Sequence, residues 1–143
     1  DHWTLSTDFI VGFPTETPDD HAQSMALFRE VRPEKANVTR FSKRPGTDAA
    51  DMKGLGGQVK KDRSKEMSAL QREVTAEAYE SMIGDTAEVI AVREGTGDSM
   101  KCRDSAYRQI IVRDAHSRGI EPGDTLAVEV TSHQTVYAFG DPV

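Results

Sequence analysis

Residues 7 to 17 read TDFIVGFPTET. They contain a short apolar run, residues 9–13, that is interrupted by Gly12 and ends at Pro14. A short apolar run is typical of a strand buried on both faces, as in a parallel sheet. A helix start follows at once, because Thr17 is a good N-cap and Pro18 suits the first helical position. The next two residues are acidic, which complements the helix dipole. The segment therefore predicts a strand followed directly by a helix.

The residues after this segment continue the alternation of strands and helices. Apolar side chains at spacings of three predict one buried side of the first helix: Ala22, Met25, Phe28 and Val31. Pro33 ends this helix near residue 32. Residues 35–42 then read as a second extended segment, with Ala36 and Val38 facing inward. The order strand, helix, strand predicts βα units with a parallel sheet.

The periodicity changes in the second half of the chain. Residues 48–58 are loop-like, and a long helix follows with apolar residues three and four apart: Met67, Leu70, Val74, Ala78 and Met82. Gly84 marks the end of that helix. Beyond it, turn residues separate five short candidate strands: residues 87–93, 100–103, 107–113, 125–131 and 135–139. Five short strands predict a small all-β barrel.

The composition of the 143 residues excludes several classes of protein. No apolar run approaches the roughly 20 residues of a membrane span, and no export signal is visible, so a cytoplasmic location is expected. The single cysteine, Cys102, excludes an internal disulfide and a cysteine-ligated cluster within this chain. The four histidines lack metal-ligand spacing, so no metal site is expected. A net charge of −6 argues against unspecific binding to polyanions.

The end of the first strand places backbone amides and a helix N-terminus at one rim of the predicted sheet. Such rims bind ligands in parallel α/β folds. Gly12 and Pro14 equally suit a tight strand-to-helix turn that binds nothing. Glu16 also has two interpretations, as a contact for the charged end of a ligand or as a residue that favours the helix N-terminus. The residues alone leave these alternatives open.

Two segments together resemble one enzyme family. Residues 7–17 and residues 37–50 (NVTRFSKRPGTDAA) are similar in order and spacing to the last two strands of the radical-SAM barrel in methylthiotransferases. Residues 59–63 and 82–86 resemble the points where that family enters a long helix and then a TRAM domain, a small OB-like β module associated with RNA binding. The resemblance implies an α/β barrel fragment, the last βα units of a radical-SAM TIM-like barrel, followed by an all-β TRAM barrel.

Within this family, residues 40–50, 101–104 and 107–109 look most like the archaeal and eukaryotic branch. That branch adds a methylthio group to threonylcarbamoyladenosine beside the tRNA anticodon, whereas related branches act on isopentenyladenosine or on a ribosomal protein. The implied cofactors are S-adenosyl-L-methionine and 4Fe–4S clusters. The family's CxxxCxxC motif does not occur in this chain, so the clusters are expected on other regions of the polypeptide. The chain is expected to be inactive alone, because it lacks these cysteines. It is also expected to be a fragment of a longer protein, because it begins inside what should be a helix-to-strand connection of the barrel.

The resemblance also implies which residues lie near the cofactor. By analogy, the two strand ends line the mouth of the barrel near S-adenosylmethionine: Ile10, Gly12, Phe13, Pro14, Glu16, Arg40 and Phe41. Ile10 and Phe13 are core residues in the alternative interpretation, since alternate strand residues face the outer helices. Arg40 and Arg44 suit either a phosphate or cofactor carboxylate, or solvated ends of a strand and a turn. No residue of this chain is assigned a catalytic role.

A local excess of basic residues marks the β module. Residues 80–143 carry 11 acidic and 6 basic residues, yet residues 101–113 alone carry a charge of +3. Aromatic and amide side chains stack on unpaired bases and hydrogen-bond to them, which makes this stretch the best candidate RNA surface. The expected RNA-binding residues are Arg44, Lys101, Arg103, Tyr107, Arg108, Gln109, His133 and Tyr137. The alternative is an exposed strand stabilised by salt bridges.

The expected partners are the tRNA anticodon stem-loop and the remainder of the same polypeptide. Two other interpretations remain: a stand-alone RNA-binding module without catalysis, and a protein-interaction or packing domain, which the acidity of residues 80–143 favours. The expected domains are the barrel units in residues 1–58, a connecting helix in residues 59–83 and the TRAM-like module in residues 84–143.

Overall fold

The computed structural model describes residues 3–143, which divide into two compact units, residues 5–74 and residues 75–143 together with residues 3–4. The elements in chain order are β1 (Ser6–Val11), α1 (Pro18–Val31), β2 (Lys35–Arg40), α2 (Asp48–Asp51), α3 (Gly57–Glu80), β3 (Thr86–Glu94), β4 (Ser99–Asp104), β5 (Gln109–Arg113), β6 (Thr125–Gln134) and β7 (Tyr137–Pro142). Within these described residues, no helix combines the length and the apolar character of a membrane span.

The first unit contains a parallel pair of strands. β1 lies beside β2, with Phe9 opposite Val38, and α1 provides the crossover that a parallel connection requires. Thr17 caps α1, as its sequence position predicts. The Thr17 hydroxyl accepts a hydrogen bond from the Asp20 amide at 3.1 Å, and the Asp20 carboxylate accepts one from the Thr17 amide at 2.8 Å. This reciprocal capping box explains why the helix begins directly after the strand.

The core of the first unit joins β1, α1 and α3 through six buried residues: Val11, Met25, Phe28, Met67, Leu70 and Val74. The expectation that Ala22 and Val31 belong to the buried side of α1 is wrong, because both are exposed. At 3.6 residues per turn they lie roughly 90° to either side of the stripe that Met25 and Phe28 form. His21 is buried on that stripe instead, with its Nε2 atom 3.1 Å from the Glu66 carboxylate of α3.

The second unit is a closed five-stranded barrel in the order β3-β4-β5-β7-β6, and β6 pairs with β3 to close it. Numbered from its own first strand, the order is 1-2-3-5-4. The third and fifth strands are parallel, with Ile111 opposite Phe139, and the other neighbours are antiparallel. This is an OB-like arrangement, and its closure leaves no strand edge unpaired. The prediction of a small five-stranded barrel is confirmed.

Alternate residues of the five strands fill the barrel: Val89, Ala91, Met100, Cys102, Ile110, Val112, Val128, Val130 and Ala138. Tyr79 near the end of α3 and Met82 in the turn after it cover this core, and the Tyr79 hydroxyl accepts a hydrogen bond from the Gln109 amide at 3.1 Å. α3 therefore contributes to both units, with residues up to Val74 in one core and residues from Tyr79 in the other.

Two local differences from the predicted elements have physical causes. A single helical turn, α2, lies inside the stretch expected to be a loop, where Thr47 precedes two acidic residues of its first turn. The third barrel strand begins at Gln109 rather than at Tyr107, because Tyr107 has a φ angle of 65°. That left-handed conformation cannot continue an extended strand.

Candidate functional site

Three neighbouring barrel strands bring their outward side chains into rows. In one row Arg103 of β4 lies opposite Gln109 of β5, and Tyr137 of β7 continues that row. In the next row Lys101 lies opposite Ile111, which lies opposite Phe139. Because side chains alternate along a strand, the intervening residues point into the core. We define the outer face by seven outward residues of these strands: Lys101, Arg103, Gln109, Ile111, Arg113, Tyr137 and Phe139. Asp141, the next outward residue of β7, lies at the Arg113 end of this face.

A groove of about 490 Å³ crosses most of the outer face. The β3–β4 loop forms one of its walls, through residues 95–98. Lys101 and Gln109 supply polar atoms along it, and Phe139 and Tyr137 supply apolar surface. The groove therefore offers both ionic and stacking contacts to a ligand.

Two arginine–aromatic pairs belong to this surface. The Arg113 guanidinium carbon lies 4.0 Å from the centroid of the Phe139 ring, and that of Arg103 lies 4.7 Å from the Tyr107 ring centroid. The Tyr137 ring meets Phe139 edge to face, with centroids 5.4 Å apart. Cation–π contacts of this kind fix the orientation of a guanidinium above a ring.

Tyr107 stands at the edge of the outer face in an unusual conformation. It combines a φ angle of 65° with a side chain that is 73% exposed. Arg103 holds it, because its Nη1 atom donates a hydrogen bond to the Tyr107 carbonyl oxygen at 2.9 Å. A large aromatic residue in left-handed backbone conformation is rare, and such strain is concentrated at functional sites.

The charge of the outer face differs from that of the chain. The outer face includes three cations, Lys101, Arg103 and Arg113. Arg108 does not belong to this face, and its Nε atom lies 2.7 Å from the Asp104 carboxylate, with which it forms an ion pair. The Asp104–Arg108 pair cancels internally, so the +3 charge of residues 101–113 is concentrated on the outer face. A basic surface on an acidic protein orients a polyanion toward one side of the molecule.

The loop at one end of the groove is held by an acidic residue. The Asp98 carboxylate accepts hydrogen bonds from the Ser117 hydroxyl at 2.6 Å and from the His116 amide at 2.7 Å. The hydrogen bond from Ser117 has the largest effect on the pKa of Asp98, and together with the bond from His116 it lowers this pKa below its ordinary value. Asp98 therefore ties the β3–β4 loop to residues 116–117 and shapes the wall of the groove.

The strand end of the first unit has a separate polar network. Gly12, at a φ angle of 77°, donates its amide hydrogen to the Glu16 carboxylate. Arg63 of α3 donates to the same carboxylate at 2.6 Å and to the Glu16 carbonyl oxygen at 3.0 Å. Both charged side chains are about 10% exposed. Glu16 thus holds the turn after β1 from within the protein.

The remaining residues predicted near a cofactor lie at the ends of β1 and β2. The Phe13 and Phe41 rings meet edge to face, with centroids 5.1 Å apart. Ile10 is 62% exposed and Phe13 39% exposed, so neither is a core residue of the described chain. Arg40 and Phe41 line a smaller cavity of about 330 Å³, and Pro14 is half-buried in the turn.

Comparison with known proteins identifies related sequences, although no family model matches the chain. A probable threonylcarbamoyladenosine tRNA methylthiotransferase of Archaeoglobus fulgidus is 36% identical over 117 residues, which are 82% of this chain and 28% of that protein. A tRNA-2-methylthio-N(6)-dimethylallyladenosine synthase of Streptomyces griseus is 37% identical over 137 residues, which cover 89% of this chain and 26% of that protein. The chain matches the C-terminal part of the tRNA methylthiotransferases.

The chain spans only about a quarter to a third of the length of these methylthiotransferases. Among solved structures, the solution structure of a conserved protein of Methanococcus maripaludis is similar at 26% sequence identity and a TM-score of 0.36. The similarity covers 43% of this chain and 79% of that protein.

Iron–sulfur clusters are implied by the methylthiotransferase match, and Cys102 does not fit a cluster ligand. It lies fully buried in the barrel core, and burial raises the pKa of its thiol to about 11, which disfavours the thiolate that a cluster needs. Within residues 3–143, no three His, Cys, Asp or Glu side chains are grouped to hold a metal ion; His2 lies outside the described residues.

The structure brings together five of the eight residues predicted to bind RNA: Lys101, Arg103, Tyr107, Gln109 and Tyr137. Arg44 is exposed in the other unit. His133 pairs with the inward-facing Ala138, so it is out of phase with the outer face. The sequence analysis missed Phe139 and did not assign Arg113. The sequence contained a signal for Phe139, because residues two apart on a strand face the same side and Tyr137 was already assigned to the RNA surface.

Proposed function

We propose that the whole protein adds a methylthio group to threonylcarbamoyladenosine next to the tRNA anticodon. In this proposal, the first unit belongs to a radical-SAM barrel that holds S-adenosylmethionine and substrate, and the second is a TRAM-like domain that binds tRNA. The observation that carries the proposal is the outer face, where three cations and two aromatic rings lie together in a chain that matches tRNA methylthiotransferases.

Electrostatics support tRNA binding through this face. The chain has a net charge of −6, so a polyanion meets repulsion over most of the surface. Lys101, Arg103 and Arg113 provide the local attraction and Gln109 a hydrogen-bonding group. The expected consequence is weak, salt-dependent binding with a defined orientation, which suits a module that positions tRNA for chemistry elsewhere.

The strand ends of the first unit support the cofactor part of the proposal. Parallel α/β barrels bind ligands at the carboxyl ends of their strands, and Phe13 and Phe41 are found there as a ring pair. We propose that these rings face the adenine of S-adenosylmethionine and that Arg40 lies near its carboxylate. The 4Fe–4S clusters supply the radical chemistry, and the proposal places them on other regions of the polypeptide.

A second substrate has support from the comparisons. The relatives named for dimethylallyladenosine and for threonylcarbamoyladenosine are nearly equally identical to this chain, at 37% and 36%. Mass spectrometry of tRNA nucleosides from cells with and without the gene separates the two. Loss of 2-methylthio-threonylcarbamoyladenosine supports the proposal, and loss of the methylthio-isopentenyl nucleoside overturns the substrate assignment. No change in either nucleoside favours an RNA-binding module without catalysis.

The RNA-binding part is tested with the 143-residue chain and a fluorescent anticodon stem-loop at several salt concentrations. Lys101→Ala and Arg113→Ala are each expected to lower the slope of log affinity against log salt by about 0.7. Lys65→Ala, which removes the same charge from an exposed site on α3, is the matched control and keeps the slope. Binding that is absent, or equally unaffected by all three changes, overturns the role and favours a packing domain.

A further inference from the structure

We infer that the outer face takes unpaired nucleotides and not the paired stem of a tRNA, with one base stacked at each of two arginine–aromatic platforms. The platforms are Arg103 with Tyr107 and Arg113 with Phe139. The inference rests on the proposed RNA-binding role and adds which part of the RNA is bound.

The exposure of the Tyr107 platform is the first argument. With 73% of its surface exposed, the side chain contributes little apolar burial to the fold. It is nevertheless held at a φ angle of 65° by the β4–β5 turn, in which its amide donates to the Asp104 carbonyl oxygen at 2.9 Å, and Arg103 adds a hydrogen bond to its carbonyl oxygen. One ring face meets the guanidinium, which leaves the exposed side for a base. Bases stack well on aromatic rings and on guanidinium planes.

The charge of the outer face is the second argument. Its three cations, Lys101, Arg103 and Arg113, neutralise at most three phosphates, which gives a salt slope no steeper than about −2 for a single strand. Asp98 and Asp114 also line the groove and weaken the attraction at one end. A surface that relied on the phosphates of a duplex needs more cations than these. The aromatic rings supply the contact that phosphates do not.

The spacing of the platforms is the third argument. Arg103 lies opposite Gln109 on one side of β5 and Phe139 lies opposite Ile111 on the other, so the platforms are two residues apart along the strands and two strands apart across the sheet, roughly 12 Å in all. A duplex keeps its bases inside the paired stack and presents only edges and backbone to such a surface. A short unpaired run of about four nucleotides, the lower end of OB-fold site sizes, spans the distance with its bases turned outward. Between the platforms, Gln109 reaches base edges and Lys101 a phosphate.

The test measures binding of the 143-residue chain to three RNAs at one salt concentration: an anticodon stem-loop, its loop sequence as a single strand, and its stem as a blunt duplex. The single strand and the stem-loop are expected to bind with similar affinity and the duplex at least about 10-fold more weakly. Tyr107→Leu and Phe139→Leu are each expected to weaken single-strand binding by about 5- to 150-fold and to leave the salt slope unchanged.

Tyr107→Phe and Phe139→Tyr are the matched controls, since each keeps the ring and is expected to retain binding. Tyr107→Leu changes an exposed residue, so it tests the inference even where Phe139→Leu perturbs the barrel. The inference is overturned if duplex and single strand bind with equal affinity and the leucine variants bind like the unmodified chain. If Lys101→Ala still weakens binding in that case, the proposed function stands. Failure to bind all three RNAs overturns the proposed function and the inference together.

Discussion

The Arg108 side chain donates from Nε to the Asp104 carboxylate at 2.7 Å, and the two side chains are only 12% and 3% exposed. The same carboxylate accepts a hydrogen bond from the Arg108 amide at 2.8 Å. Asp104 thus closes the turn between β4 and β5 through both the backbone and the side chain of one residue. This turn carries Tyr107, so the ion pair supports one of the two stacking platforms.

Arg108→Ala is expected to destabilise the barrel by about 3 kcal/mol, because it leaves the carboxylate of Asp104 buried without its charged partner. Urea denaturation followed by circular dichroism measures the change. Arg118→Ala, at an exposed position, is the control and is expected to have little effect. If Arg108 contacts RNA instead, Arg108→Ala binds RNA more weakly but remains as stable as the unmodified chain.

Glu16→Gln is expected to loosen the first unit, since Arg63 then lies almost buried without the charge of its hydrogen-bonded carboxylate. Hydrogen–deuterium exchange is expected to rise in β1 and at the start of α1, where Glu16 holds the Gly12 amide, and to stay unchanged in the barrel. Combining Glu16→Gln with Arg63→Met is expected to restore part of the protection, because no buried charge is then unpaired. Unchanged exchange in the single variant contradicts a holding role for Glu16.

The sequence predicted the elements of both units where local patterns determine them. The cap at Thr17, the parallel alternation of strand and helix, and the five barrel strands all follow from short-range signals. The inward positions of Val128 and Val130 follow from alternation along one strand. These features do not depend on which elements become neighbours.

The composition of the outer face depended on non-local pairing. Phe139 joins Lys101 only because β7 runs parallel to β5, and nothing within either segment specifies that neighbour. Arg108 lies off the face because it directly precedes the outward-facing Gln109 and forms an ion pair with Asp104, so a count of charges along the sequence assigns it to the wrong group. The partner of His21 also depends on the tertiary fold: its position four residues before Met25 places it on the buried stripe of α1, whereas Glu66, which it contacts, is 45 residues away.

Cys102 is expected to be almost inert toward thiol reagents in the folded protein. Burial raises its pKa from 9.0 to about 11, so the thiolate population falls by about 100-fold below that of a free cysteine at pH 8. Iodoacetamide labelling in buffer and in urea, followed by mass spectrometry, measures the ratio of rates. The raised pKa also implies that this thiol leaves stability unchanged below about pH 9 and lowers it as the pH rises toward 11. Equally fast labelling of the folded chain contradicts this burial.

Asp98 is expected to stabilise the groove in a pH-dependent manner. Hydrogen bonds from Ser117 and His116 lower its pKa below 3.8, so its stabilising effect is present above pH 3.8 and is lost as the pH falls through the lowered value. Asp98→Asn removes the titrating group and keeps its shape. Urea denaturation of both proteins across this range is therefore expected to show a difference in the free energy of unfolding that is largest near neutral pH and shrinks in acid. A difference that stays constant from neutral pH to below pH 3.8 means that the carboxylate charge does not hold the loop.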